Sequence, residues 1–184
     1  GCVNYDAHFI ATVDTAYNNL LYNWAFGDLG TSTEEDPIHI YYNPGNYSVT
    51  FQLISLTGCK DTININKPNW IDVYPIPTAG FTVEPIEQSI FFPQFYITDQ
   101  SSNGVVDCWM FYDNGDSSQN CNGWYIYQDT GHYNLTQMVF NIFGCPDTMI
   151  IPIIVNPEFV FNIPNTFTPN EDGLNEGFRG KGIG

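Results

Sequence analysis

Gly45-Asn46-Tyr47-Ser48-Val49-Thr50-Phe51-Gln52-Leu53 alternates large apolar with polar residues, and Gly131-His132-Tyr133-Asn134-Leu135-Thr136-Gln137-Met138-Val139 follows the same plan 86 residues later. A period of two sets Tyr47, Val49, Phe51 and Leu53 on one face of a half-buried strand. In the later copy Gln137 interrupts that face, which marks either a bulge or a buried hydrogen bond. Outward from these strands, Trp24-Ala25-Phe26-Gly27-Asp28 returns as Trp109-Met110-Phe111-Tyr112-Asp113, 85 residues on. Gly58-Cys59-Lys60-Asp61-Thr62 returns as Gly144-Cys145-Pro146-Asp147-Thr148, 86 residues on. Blocks in one order at a nearly constant offset define an internal repeat, too long for a solenoid unit and suited to a complete sandwich. Turn clusters such as Asn43-Pro44-Gly45 and Asn114-Gly115 separate the runs, and no stretch sustains a helical period. The expected fold is all-β: two tandem immunoglobulin-like β-sandwiches over residues 1–74 and 75–157, followed by a short C-terminal segment over 158–184. Trp24 and Trp109 are expected on a central strand, filling the middle of each core. Tyr47 and Tyr133, each two residues after a glycine, resemble a tyrosine corner.

Charge narrows the function. Four Lys and Arg face twenty Asp and Glu among 184 residues, a net charge of −16. Nucleic-acid binding needs cations to neutralise phosphates, and an anionic membrane surface needs them equally, so both classes are excluded. No run of about 18 apolar residues exists to insert in a membrane. The acidity serves solubility by self-repulsion or, alternatively, affinity for Ca²⁺, which takes carboxylate and carbonyl oxygens. The run Asn170-Glu171-Asp172-Gly173-Leu174-Asn175-Glu176 makes Asn170, Asp172 and Glu176 candidate calcium ligands, although an ordinary Asx-rich turn has the same composition. His8, His39 and His132 are scattered, and no metalloprotease, serine-hydrolase or phosphate-loop motif is present, so the chain reads as no enzyme.

Cys2, Cys59, Cys108, Cys121 and Cys145 form no C-x-x-C pair, which argues for disulfides in an oxidising compartment rather than for zinc. If Asn114-Gly115 is a two-residue hairpin loop, cross-strand partners have numbers summing to 229, and Cys108 faces Cys121. The two would form a non-hydrogen-bonded pair of the hairpin, with Cα atoms about 4.5 Å apart, within a disulfide's reach.

The blocks Trp24-x-Phe26-Gly27-Asp28, Gly45-x-Tyr47-x-Val49-Thr50 and Gly58-Cys59-x-Asp61-Thr62 resemble the PKD (polycystic kidney disease) domain as found in Bacteroidetes surface proteins. The family's W-x-F-G-D-G block has Leu29 in place of its last glycine, and the second copy departs further. By resemblance, Cys2 pairs with Cys59, which leaves Cys145 a buried thiol. The tail from Phe161 is similar to the opening of the gliding-motility-associated C-terminal domain, the type B sorting domain of the type IX secretion system. Ile163, Pro164, Asn165, Phe167, Thr168, Pro169, Asn170, Asp172, Gly173 and Asn175 carry that likeness. The two resemblances imply the stalk and anchoring region of a large adhesin at the outer cell surface of a Gram-negative bacterium. They imply as partners the type IX machinery and an outer-membrane protein of the PorP/SprF type, with an extracellular surface or polysaccharide as ligand. The alternative is an accessory polysaccharide- or protein-binding module of a secreted hydrolase.

Overall fold

The computed structural model describes residues 1–13, 19–57, 61–162 and 181–183. Among them every regular element is a β-strand. They fall into two compact units, 1–77 together with 140–146, and 78–139 together with 147–184.

The first unit holds β1 (Tyr5–His8), β2 (Leu20–Ala25), β3 (Thr31–Ser32), β4 (Ile38–Tyr41), β5 (Gly45–Ser55) and β6 (Thr62–Val73). β1 and β4 pair with each other, and the facing sheet runs β3-β2-β5-β6. The period-two pattern of β5 buries Val49 and Leu53. Between the two layers Phe9, Trp24, Phe26, Tyr41, Val49 and Val73 form the core.

The second unit holds β7 (Phe81–Glu84), β8 (Glu87–Ser89), β9 (Gln94–Asp99), β10 (Val105–Phe111), β11 (Ser117–Ser118), β12 (Gly123–Ile126), β13 (Gly131–Asn141) and β14 (Pro146–Asn156), the tip of the last two counting with the first unit. Its sheets run β12-β9-β7 and β11-β10-β13-β14-β8. β14 and β8 are parallel. Gln137 is fully buried in β13 and resolves its own anomaly: its Oε1 accepts from the Gly80 N–H at 2.8 Å and its Nε2 donates to Asp99 at 2.8 Å. It is a buried hydrogen bond that ties β7 and β9 to the opposite sheet, and it satisfies the rule that an interior polar group must be paired. The second unit also includes β15 (Val160–Asn162) and β16 (Lys181–Ile183), which pair antiparallel.

The register corrects the repeat. Trp24 faces Ser32 across β2 and β3, and Met110 faces Ser118 across β10 and β11. Tyr41 donates to the Phe26 carbonyl at 2.9 Å, and Tyr127 to the Tyr112 carbonyl at 2.8 Å. Every one of these pairs repeats at 86 residues, so Met110, not Trp109, is the counterpart of Trp24. Met110 is fully buried, whereas Trp109 is half-buried, stacks on Phe111 at 6.4 Å and bonds Asp107 through its indole N–H. The expectation that Trp109 fills the second core is therefore wrong: alternate residues of a strand point to opposite faces, and a shift of one reverses them.

Candidate functional site

Each core ends in a turn braced by an aromatic column. In the first unit Phe26 stacks on the His39 ring at 4.1 Å, His39 meets Tyr41 edge-on at 4.7 Å, and Tyr41 packs on Tyr47 at 4.5 Å. In the second, Tyr112 stacks on Tyr125 at 3.7 Å, Tyr125 meets Tyr127 edge-on at 4.9 Å, and Tyr127 stacks on Tyr133 at 4.1 Å. Tyr47 and Tyr133 are half-buried and lean on the cores, and each donates its hydroxyl to the carbonyl four residues upstream, Asn43 at 2.8 Å and Asp129 at 3.0 Å. Burial pushes the Tyr41 and Tyr127 phenols far above their ordinary range, helped by Asp28 and Tyr47 in the first and by Tyr125, Tyr133, Tyr112 and Asp113 in the second.

The column ends differently in the two units. His39 Nε2 lies 2.8 Å from Asp28 Oδ2, and Asp28 Oδ1 accepts the Gly30 N–H at 2.9 Å. Burial raises the Asp28 carboxyl, but the hydrogen bonds from His39 and Gly30 outweigh it and the net shift is downward. In the second unit Asn114 and Asp116 both bond the Tyr125 hydroxyl, and Asn114 Oδ1 accepts the Asp116 N–H at 3.1 Å. A Cβ on Gly27 (φ 89°) would meet the Ser48 carbonyl oxygen at 2.6 Å, so the first turn needs glycine there. The second turn places Asp113 at that position (φ 60°), and its carboxylate bonds the Asn134 N–H at 2.9 Å. Asp28 and His39 thus brace a turn, with the imidazole held between rings.

The cysteines follow a partly different plan. Cys108 and Cys121 are bonded, with Cα atoms 6.2 Å apart. The hairpin beside them is not the expected two-residue loop: Phe111 pairs Ser117, the Tyr112 N–H bonds the Asp116 carbonyl, and Asp113-Asn114-Gly115 forms a three-residue loop. Cross-strand partners therefore sum to 228, and Cys121 reaches Cys108 from the turn after β11, shaped by Ser118 and Asn120 side chains on the Asn120 and Asn122 N–H groups. Cys2 is bonded to Cys145, not to Cys59, with Cα atoms 5.6 Å apart. The cause is local. Asn141 accepts the Cys145 and Phe143 N–H groups and donates to the Pro75 carbonyl at 2.7 Å, and Phe143 stacks on Tyr74 at 4.2 Å. Cys2 bridges Tyr74 in the same place, so the fully buried Cys145 meets it there and is no free thiol. Cys59 lies outside the described residues, as do the candidate sorting residues 163–175 and the candidate calcium ligands Asn170, Asp172 and Glu176. Among the described residues no three His, Cys, Asp or Glu side chains gather as a metal site.

One feature of the first unit had no sequence signal. An apolar cavity of about 500 Å³ opens between residues 10–13 and the inner face of the β2-β5-β6 sheet, with Trp24, Phe51, Ile63, Ile65 and Trp70 in its walls. Trp24 and Phe51 stack at 4.1 Å along one side, and Trp70 closes against Phe9 at 5.8 Å. Ile63 and Ile65 pair across from Leu53 and Phe51, on the core-facing side of their sheet, yet each is about half exposed. Tyr41 and Tyr127, both fully buried, keep the 86-residue spacing but stand outside the repeat blocks.

A family model described as PKD domain matches residues 2–67. No curated protein matches the chain. Among solved structures, the chain is similar to the PKD1 domain of the Vibrio cholerae metalloprotease PrtV, at 23% identity and a TM-score of 0.40, over 44% of this chain and 98% of that one. It is also similar to the fibronectin(III)-like modules of Clostridium thermocellum CbhA, at 14% identity and a TM-score of 0.41, over 85% of this chain and 88% of that one. Residues 2–67 thus match the PKD domain, within an all-β chain of immunoglobulin-like sandwiches whose disulfides suit an extracellular, oxidising compartment.

Proposed function

We propose that the chain is the C-terminal stalk and secretion or anchoring region of a large cell-surface adhesin of the gliding-motility type, exported by the type IX secretion system and non-catalytic. The observation that carries this reading is the repetition: the same hydrogen bonds and ring contacts recur at 86 residues, and each unit holds a disulfide. A spacer needs stiff, cross-linked modules rather than a cleft. The block from Ile163 to Asn175 supplies the export signal by its resemblance to a type B sorting domain, with a PorP/SprF-type protein as the outer-membrane partner. Localisation of the full-length protein in its own cells tests the proposal. Removing residues 158 onward should leave the protein in the periplasm, and so should loss of the type IX translocon. Undiminished surface labelling of intact cells in either strain would overturn it.

A further inference from the structure

The outer face of the β12-β9-β7 sheet carries a row of three unlike side chains. Trp124 pairs Tyr96 across β12 and β9, and Tyr96 pairs Glu84 across β9 and β7. Alternation along each strand sends their neighbours Phe95, Ile97 and Val83 into the core and leaves these three outside. Trp124 is 58% exposed and Tyr96 57%. Among the described residues neither ring stacks on another, neither the indole N–H nor the phenol is hydrogen-bonded, and no cation pairs with Glu84. The framework does not ask for aromatic residues there. Trp124 stands 86 residues after Ile38, and Ile38 pairs His8 as Trp124 pairs Tyr96. A Trp and a Tyr held side by side in water, with a carboxylate next to them, are side chains that the sandwich does not use itself.

We infer that this row is a docking surface for an arginine-bearing segment of a basic partner protein, with the guanidinium over the Trp124 and Tyr96 rings and against the Glu84 carboxylate. Charge complementarity decides the occupant. An aromatic face attracts a cation through its ring quadrupole, and Trp does so best. A carboxylate beside the rings adds charge-assisted hydrogen bonds, which the planar guanidinium makes as a fork. Opposite side chains on neighbouring strands stand roughly 5 Å apart, so one arginine side chain can touch all three. Ile126, on the same face of β12 and partly exposed, offers apolar surface to its stem. The net charge of −16 draws basic partners toward the chain and repels a second copy of it. A neutral glycan would lie on the rings but leave Glu84 without a counter-charge.

The probe is a synthetic peptide with blocked ends, Gly-Thr-Arg-Thr-Gly, and its neutral twin with citrulline in place of arginine, each titrated into the whole chain and followed by NMR. Saturable binding of the arginine peptide should move the indole signal of Trp124 and the amide signals of Tyr96 and Glu84. The citrulline peptide should bind about fivefold more weakly or worse, and added salt should weaken the arginine peptide alone. Glu84→Gln should lower the affinity for the arginine peptide about fivefold, and Trp124→Ala at least as much. Both side chains lie outside the core, so the signals of Met110 and Leu135 should stay in place in either variant. No binding, equal binding of the two peptides, shifts spread over the acidic surface instead of the row, or affinity indifferent to both substitutions would each overturn the inference. Tighter binding of a neutral oligosaccharide, cellohexaose, at the same signals would overturn it in favour of a glycan, and closure of the row by self-association would overturn it as well.

Discussion

At the central core position of the first unit stands Trp24, stacked on Phe51 and tied by its indole N–H to the Glu34 carbonyl at 3.0 Å; at the same position of the second stands Met110. The second unit gives Phe81 and Val83 of β7 to its core, while the first has Trp24, Phe51 and Trp70 around an open slot. The turns also differ in means: glycine and an Asp28–His39 pair in one, Asp113 and the Asn114–Tyr125–Asp116 cluster in the other. What persists is the backbone framework, at an offset of 86 from β2 and β10 onward, and side-chain identity is free to vary around it.

The largest expected effect comes from the bond that distinguishes the first unit. Cys2–Cys145 spans 143 residues against 13 for Cys108–Cys121. On loop entropy the long bridge restricts the unfolded chain by about 5 kcal/mol and the short one by about 3 kcal/mol. Denaturant titration should therefore find Cys2→Ser more destabilising than Cys108→Ser, and the reverse order would break the comparison. Next comes the core. Trp24→Ala should cost about 3–5 kcal/mol, whereas Trp109→Ala, on the outer face, should cost roughly 1 kcal/mol or less. Equal losses would restore the 85-residue alignment.

A smaller effect concerns pH. The folded Asp28 carboxyl is held below its ordinary value, so its contribution is present above the unfolded value, near pH 4, and is lost as pH falls through the lower folded value. Asp99 behaves likewise in the second unit: burial raises it, but bonds from Ser101 and Gln137 lower it further. Thermal scans across this acid range should show Asp28→Asn flattening the acid loss of the first unit while leaving that of the second. The smallest effect sits at the turn. Leu29 is fully exposed with φ 78°, where the second unit has Gly115 at φ 95°. Leu29→Gly should stabilise the first unit by up to about 1 kcal/mol, because a β-carbon is disfavoured in that conformation. A loss of stability would show that Leu29 is held there by something else.

The strands, their alternation and the anomaly at Gln137 were legible, since each rests on a local period of two. The face of β10 was not. Trp109 and Phe111 on one side and Met110 and Tyr112 on the other are all large and apolar, so alternation alone cannot choose between them. The Cys108–Cys121 bridge was legible for an imperfect reason: the residues are close, but through a three-residue loop and a further turn. Cys2–Cys145 was hidden because it depends on Asn141 and Phe143 anchoring a distant hairpin tip, a tertiary event with no spacing rule. The slot was hidden too. It is defined by what lies opposite Ile63 and Ile65, and those residues read as an ordinary inward face.

Amide exchange at two pairs of equivalent residues tests the central comparison, that the units share one framework, with β7 covering the edge of β9 and no described strand covering that of residues 8–11. In the second unit the Gln100 N–H bonds the Gly80 carbonyl at 2.7 Å, and Thr98 pairs with Thr82 in β7. Ile126 pairs Gln94 as Ile40 pairs Asp6, and Asp99 donates its N–H to Asn122 as Ala11 does to Asp36, so the counterparts of Gln100 and Thr98 are Thr12 and Ile10. In the chain alone, Ile10 and Thr12 should exchange far faster than Thr98 and Gln100, as amides on an open edge do. Equal protection of the two pairs would contradict the account.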